Sequence, residues 1–210
     1  MKIYKINQEK PDLEILKKAG KIVQTGGIVI YPTETLYGIG GDPFNETTVE
    51  KIFELKKREK TKPFHYIISG LEVINEVSKE LPGAFFMLIE RFWPGPLTLI
   101  INRIKLPGRK KELLKPGIRV SSNIIAKKLA EYSGGILIST SANISAGKDT
   151  RETREIPDEL LENADIVLDG GRISSISSST ILDLTGNKPL LLREGVIKKW
   201  EIEELIGPVI

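Results

Sequence analysis

The sequence predicts an α/β or α+β domain built on a mixed β-sheet, and three observations carry that prediction. Short apolar runs bounded by Gly and Pro recur along the chain, and segments of helical periodicity fall between them. A length of 210 residues with 40% hydrophobic content is also enough for one substantial core and short for two. No composition break divides the chain, so residues 1–210 read as a single domain.

The elements follow in order. Leu13, Leu16, Ala19, Ile22 and Val23 recur at helical spacing after Pro11-Asp12, and Gly26-Gly27 stops that helix. Ile28 to Tyr31 is a short strand, and the segment Tyr31 to Gly38 reads as a strand-to-helix turn or a ligand loop. Thr48 to Lys57 carries Val49, Ile52, Phe53 and Leu55 at mostly helical spacing, and Tyr66 to Ser69 is again a strand. A helix over Ala84 to Phe92 ends at Trp93-Pro-Gly-Pro96, and Leu97 to Ile101 returns as a strand. Then come a strand at Ile118 to Val120, a helix over Ile124 to Tyr132 and a strand at Gly134 to Ile138, with another at Ile166 to Leu168. Ser179 to Leu184 and Pro189 to Arg193 form a hairpin around Gly186-Asn187, and Lys199 to Ile206 is a final short helix. Two stretches, Ser145 to Pro157 and Gly170 to Ser179, are polar or Gly/Ser-rich; their composition suits a lid or binding loop and a disordered segment equally.

Composition narrows the chemistry. The net charge of +3 is a small excess of 31 basic over 28 acidic side chains, so anion binding must be local. The absence of cysteine excludes disulfides, thiolate metal sites and a Cys nucleophile, and a single histidine, His65, argues against a zinc site or a Ser-His triad. His65 reads as structural. The N-terminus lacks a signal-peptide pattern and no apolar run approaches the ~18 residues of a membrane span, so a soluble, cytosolic protein is expected. A Walker A pattern is absent, and neither Gly38-Ile-Gly40 nor Gly170-Gly171 opens a G-x-G-x-x-G fingerprint, so a nucleotide would have to bind by another route.

Candidate site residues gather in three places. Ser139-Thr-Ser-Ala-Asn143 follows the apolar strand that ends at Ile138, and hydroxyls and an amide at the carboxyl end of a strand can face a ligand or simply cap a loop. Lys56, Lys57, Arg58, Lys60 and Lys62 cluster at a helix C-terminus, either as a solvated helix end or as a phosphate clamp. A second basic run of Arg103, Lys105, Arg109, Lys110, Lys111 and Lys115 surrounds Pro107-Gly108; it lacks interleaved aromatics for base stacking and reads as a solvated loop. The third place is Tyr31-Pro-Thr-Glu-Thr-Leu-Tyr-Gly38, where two threonines flank a Glu.

With Lys56-x-Arg58, Lys62-Pro63, Phe92-Trp-Pro-Gly-Pro-Leu-Thr98, Ile118-Arg-Val120, Ser179-Thr180 and Leu192-Arg-Glu-Gly195, these segments resemble, in order, the successive motifs of the YrdC/TsaC family. The resemblance runs from residue 31 to residue 195. It implies a twisted mixed sheet flanked by helices around a concave cleft. It also implies a threonylcarbamoyl-AMP synthase, which makes threonylcarbamoyl-adenylate and pyrophosphate from L-threonine, bicarbonate or CO2, and ATP. That is the first step of the threonylcarbamoyladenosine modification of tRNA, and partner transferases complete it. Lys56, Arg58, Ser141 and Asn143 match the family's polar catalytic residues. Thr35, Arg119, Ser139 and Ser179 match threonine contacts, with Arg119 suited to the carboxylate. Arg58, Lys62, Ser141 and Arg193 match ATP contacts. Mg2+ is expected with the ATP phosphates, without an assigned protein ligand.

The sequence departs from the family's pattern at Ser121, where Pro is usual, and at Ala146, where a Gly usually follows Asn-x-Ser and where Ala could stiffen the loop. His65 stands two residues before the slot, here Ile67, in which some relatives carry histidine. The sequence ends about where the family's catalytic domain does, so the short form without an extra C-terminal domain is expected. Two other readings share the motifs. One is an RNA- or ribosome-binding module of the same fold, acting through a basic concave face; the other is a carbamoyl-transfer relative with another amine or carbamoyl substrate, and contact with tRNA is a separate expectation for the chain. A steep salt dependence of RNA binding would mark the first and a substrate screen the second.

Overall fold

The computed structural model describes residues 2–106, 109, 111–145, 147–175 and 177–210. The expectation of a stiffened loop at Ala146 lies outside these residues, as do Pro107, Gly108 and Lys110 of the second basic run and Ile176 of the Gly170 to Ser179 stretch.

The chain opens with β1 (Ile3–Lys5) and α1 (Leu13–Gln24), whose first turn is capped by the Asp12 carboxylate accepting from Glu14 N at 2.9 Å. β2 (Val29–Pro32) and β3 (Tyr37–Gly40) follow, then α2 (Glu46–Leu55) and β4 (His65–Ile68). A 3₁₀ stretch at Leu71–Glu80 precedes α3 (Gly83–Phe92), β5 (Leu97–Ile100), and the small pair β6 (Arg103–Ile104) and β7 (Leu113–Leu114). β8 (Gly117–Arg119), α4 (Ile124–Tyr132), β9 (Ile136–Ser141), α5 (Asp158–Asn163) and β10 (Ile166–Asp169) come next. A 3₁₀ turn at Thr153–Glu155 lies between β9 and α5, and β11 (Thr180–Asp183), β12 (Leu190–Arg193) and α6 (Lys199–Ile206) follow β10.

A 10-stranded sheet runs β1-β10-β2-β3-β9-β4-β8-β5-β11-β12, with parallel and antiparallel pairs mixed. The expected fold class holds, and so does the expected hairpin, β11 pairing antiparallel with β12. Two local expectations are corrected. Tyr31 to Gly38 is not a strand-to-helix turn but the bend of the β2–β3 hairpin, with Tyr31 opposite Gly38. Here the glycines keep the second strand narrow: a Cβ on Gly40 would collide with the Ile138 carbonyl oxygen of β9. The strand expected to end at Ile138 runs on to Ser141, because Thr140 and Ser141 pair with Ile39 and Gly38. Ladder bonds from β3 hold these polar residues extended where their intrinsic preference is for a loop.

Successive side chains of the central strands pack alternately on the two faces of the sheet, both of them covered. Val29, Tyr31, Leu137, Ile166 and Leu168 face α1 and α4, meeting Leu16, Ala19, Val23, Ile125 and Leu129. Ile28, Ile30, Ile138 and Val167, one residue out of step, meet Ile52, Leu160 and Phe64 on the other side. In the second half of the sheet Leu97, Leu99, Ile118 and Val120 pack under α3 and α6 with Phe85, Leu88 and Ile202. Each such Val, Leu, Ile or Phe side chain stabilises the fold by about 1.5–3 kcal/mol relative to exposure. There the out-of-step residues are polar: Thr98 and Arg119 turn to a cavity instead of a helix. Among the described residues no helix is long and apolar enough to cross a membrane.

Candidate active site

The cavity has a volume of about 190 Å³, and seven of the ten expected site residues, Thr35, Arg58, Arg119, Ser139, Ser141, Ser179 and Arg193, line it together. They come from the β2–β3 bend, the segment after α2, and strands β8, β9 and β12, with Ser179 just before β11. Each local arrangement has a visible cause. In the β2–β3 bend Thr33 Oγ1 donates to Leu36 O at 2.7 Å and accepts from Thr35 N and Leu36 N at 3.2 Å, and the two threonine hydroxyls meet at 3.1 Å. Arg193 Nε donates to Ser179 O at 2.9 Å and its NH2 to Ser179 Oγ at 3.0 Å, so arginine and serine are fixed as a unit. Gly195 of the same motif lies so close to Ser178 and Ser179 that a Cβ would collide with their backbone. Arg58 is pinned by Nε to Lys62 O at 2.8 Å and by NH2 to Pro63 O at 3.0 Å, with its guanidinium 5.6 Å from the Phe64 ring.

The remaining three expected residues sit elsewhere. Lys56, 1% exposed, lies beneath the 141–143 backbone. Its ammonium donates to Ser141 O at 2.5 Å, Asn143 O at 2.6 Å and Asn143 Oδ1 at 3.2 Å. Asn143 accepts from Ser141 Oγ at 2.6 Å and donates to Gly147 O and Lys148 O at 3.0 and 3.1 Å, tying the following loop to the same point. The reading of Lys56 as part of a solvated helix end is thus overturned: burial follows from three well-placed acceptors. Lys62 keeps the solvated position. Its side chain is 64% exposed and pairs with Glu59 at 3.1 Å, and only its carbonyl meets the site through Arg58. The Lys62 ammonium is not among the groups that line the cavity.

Electrostatics make the cavity a desolvated, positive environment. Burial lowers the pKa of Lys56 to about 7, with the charge of Arg58 adding to the effect. Burial also lowers Arg58 and Arg193, the latter further depressed by Arg119 and Arg58 and partly restored by Asp149. His65, which the sequence reading set aside, lines the same cavity, and burial followed by the charges of Arg193, Arg58 and Arg119 takes it down to about 3. It is a neutral imidazole among guanidinium groups, and an anion placed among them relieves their mutual repulsion. Gly117 makes room for that ring, since a Cβ there would be 2.6 Å from His65 Cδ2.

Sequence reasoning also missed Thr33, Tyr66, Thr98 and Asp149 on the cavity wall. Thr98 closes a motif already singled out, whereas Asp149 sits in a polar stretch where nothing local distinguishes it. Three cations of the second basic run are paired with carboxylates: Arg103 with Glu80 and Glu112, Arg109 with Asp42, and Lys111 with Glu46. Among the described residues no group of three or more His, Cys, Asp or Glu comes together as a metal site.

Comparison with known proteins places this geometry. A family profile named for Sua5, YciO and YrdC, with the description telomere recombination, matches residues 21–195. The chain belongs to the Sua5/YciO/YrdC family. Within it, the chain is 34% identical over 196 residues to the threonylcarbamoyl-AMP synthase of Pyrococcus abyssi, covering 92% of this chain and 58% of that relative. It thus spans little more than half of that protein. The structure of Pyrococcus abyssi Sua5 complexed with L-threonine is similar at a TM-score of 0.87 and 32% identity, covering 100% of this chain and 63% of the other. Escherichia coli YciO, another Sua5/YciO/YrdC member, is similar at a TM-score of 0.79 and 27% identity, covering 93% of this chain and 97% of its own.

Proposed function

We propose that the chain is a threonylcarbamoyl-AMP synthase that condenses L-threonine, bicarbonate or CO2, and ATP. The observation that carries the reading is the convergence of Arg58, Arg119 and Arg193 with the hydroxyls of Thr35, Ser139, Ser141 and Ser179 around one desolvated cavity. Guanidinium forks suit a carboxylate and phosphates, and hydroxyls suit an amino-acid side chain or a carbamate. Of the relatives named above, the Pyrococcus abyssi protein is called a threonylcarbamoyl-AMP synthase, and its Sua5 structure holds L-threonine.

The chemistry needs no protein nucleophile. The deprotonated threonine amine attacks the carbon of CO2, forming a carbamate C–N bond. A carbamate oxygen then attacks the α-phosphorus of ATP as the bond to the β,γ-diphosphate breaks, and pyrophosphate leaves. In this reading Arg119 pairs with the threonine carboxylate, while Thr35, Ser139 and Ser179 surround the amino acid. Arg58 and Arg193 counter the triphosphate charge, and Ser141 stands at the reacting carbamate. Lys56 and Asn143 act by fixing the Ser141–Asn143 backbone, and the Lys56 charge lies directly behind it. Positioning of this kind is worth about 7–11 kcal/mol in favourable systems, and fixed charge adds to it. Mg2+ enters as part of the MgATP substrate, held by phosphates and water, in keeping with a wall on which Asp149 is an isolated carboxylate. The product is a mixed anhydride, consumed by a transferase that acylates tRNA adenosine.

Arg103, Arg109 and Lys111 of the second basic run are paired with carboxylates, which leaves fewer of its cations for the uncompensated phosphate contacts of an RNA-binding module and favours the synthase reading. The test is a mass-spectrometric search for threonylcarbamoyl-adenylate after incubation with the three substrates. Pyrophosphate should form only when threonine, bicarbonate and ATP are all present; release that ignores threonine refutes the assignment.

A further inference from the structure

Glu34 is the residue of the Thr33-Glu-Thr35 bend that the proposed mechanism leaves unused, and Ser121 is the departure after Arg119 noted in the sequence. The fold brings them together across 87 positions: Ser121 Oγ donates a short hydrogen bond to Glu34 Oε2. Ser121 is fully buried, and its oxygen also accepts from Asn123 N at 3.2 Å. Asn123 in turn caps α4 through Ile125 N at 2.9 Å and donates to Gln8 Oε1 at 3.0 Å, so the hydroxyl is anchored to the start of a helix. The other carboxylate oxygen, Glu34 Oε1, faces Arg119 Nε at 3.4 Å, with the two side chains only 13% and 10% exposed. Both of those atoms are buried without a hydrogen-bonding partner among the described residues.

A buried carboxylate with one unsatisfied oxygen is costly, and an apolar side chain would serve packing at that position better. What the arrangement supplies is direction. Glu34 Oε1 is ion-paired with the Nε edge of Arg119, whose side chain lines the cavity, so the terminal guanidinium nitrogens are the donors left for a ligand there. We infer that Ser121 and Glu34 form a brace that sets the orientation of Arg119, making both of them positioning residues for the substrate carboxylate. The inference rests on the reading of Arg119 as the carboxylate partner. It goes beyond it by assigning the residues that aim that partner and by giving Ser121 a role of its own in this chain.

The experiment is nitrogen-15 NMR of the full chain, with the Arg119 Nε–H resonance assigned by its loss in Arg119→Lys, together with separate calorimetry of L-threonine and of ATP. Ser121→Ala should move that resonance, speed its exchange with water, and raise the Kd for L-threonine about tenfold with the Kd for ATP unchanged. Ser121→Thr, which keeps the hydroxyl, should restore both. Glu34→Gln is the second variant should Ser121→Ala fail to fold, and the same shift is expected of it. An unmoved resonance in a folded variant overturns the brace, as does equal weakening of both ligands. A shifted resonance in a chain that binds no threonine even unsubstituted supports the brace and counts instead against the proposed substrate.

Discussion

Replacing Lys56 with methionine keeps an aliphatic stem in the space beneath Ser141 and removes the ammonium, and the structure states how stability should respond to pH. The side chain is 1% exposed, and burial takes its pKa from 10.5 down to about 7. Between those values the unfolded chain carries a proton that the folded chain has released. Stability therefore rises with pH across this window, because the unfolded state binds more protons. The slope is about 1.4 kcal/mol per pH unit once the folded group is neutral, which gives about 2 kcal/mol between pH 7 and pH 9. Lys56→Met has no such group, so the stability of the unsubstituted protein minus that of the variant should grow by that amount. Guanidinium chloride unfolding of both proteins at pH 7, 8 and 9 measures it, with the subtraction cancelling the other lysines. A difference that stays flat or shrinks refutes the reasoning: it would mean that the three acceptors, Ser141 O, Asn143 O and Asn143 Oδ1, hold the ammonium more strongly than burial expels it.

Three further outcomes are expected. Arg58→Ala should weaken ATP binding by tenfold or more on the scale of a lost charged hydrogen bond while changing threonine binding by less than about twofold, and calorimetry showing equal losses would remove Arg58 from the phosphate role. His65 has a folded pKa of about 3 against an ordinary 6.5, so below pH 6.5 the unfolded chain binds the extra proton and stability falls with acidification. By pH 5 this contribution is about 2 kcal/mol, which His65→Gln should abolish, and an imidazole resonance titrating near pH 6.5 would contradict it. Gly40→Ala places a Cβ against the Ile138 carbonyl oxygen within the sheet, where neither backbone can yield; a loss of about 3 kcal/mol, read from thermal unfolding, is expected.

Much of the fold was legible because apolar periodicity is a local property. The helix over Ile124 to Tyr132 and the hairpin around Gly186-Asn187 emerge where spacing and turn residues placed them. β3 was missed because Tyr37-Gly-Ile-Gly40 holds too few β-formers; what makes it a strand is the presence of β2 and β9 on either side. The end of β9 was misplaced for the same reason. Among site residues, those on recognisable motifs were found, whereas His65 was passed over because its place on the cavity wall depends on β8, where Gly117 lies opposite it.

By itself the sequence determined which residues could carry the chemistry: guanidiniums, hydroxyls and an amide in ordered motifs, without thiolates or a histidine cluster. The tertiary structure decided which of them meet. Lys56 and Lys62 belong to one basic run, yet one ammonium is buried against Ser141 and Asn143 and the other faces water beside Glu59. Ser121 and Glu34 have no local signal connecting them, and only the strand order β2-β3-β9-β4-β8 brings their elements to a common site. The reason is physical. Periodicity along a chain fixes which face a residue occupies, but whether a buried polar atom is tolerated depends on the acceptor or donor that another segment places about 3 Å away.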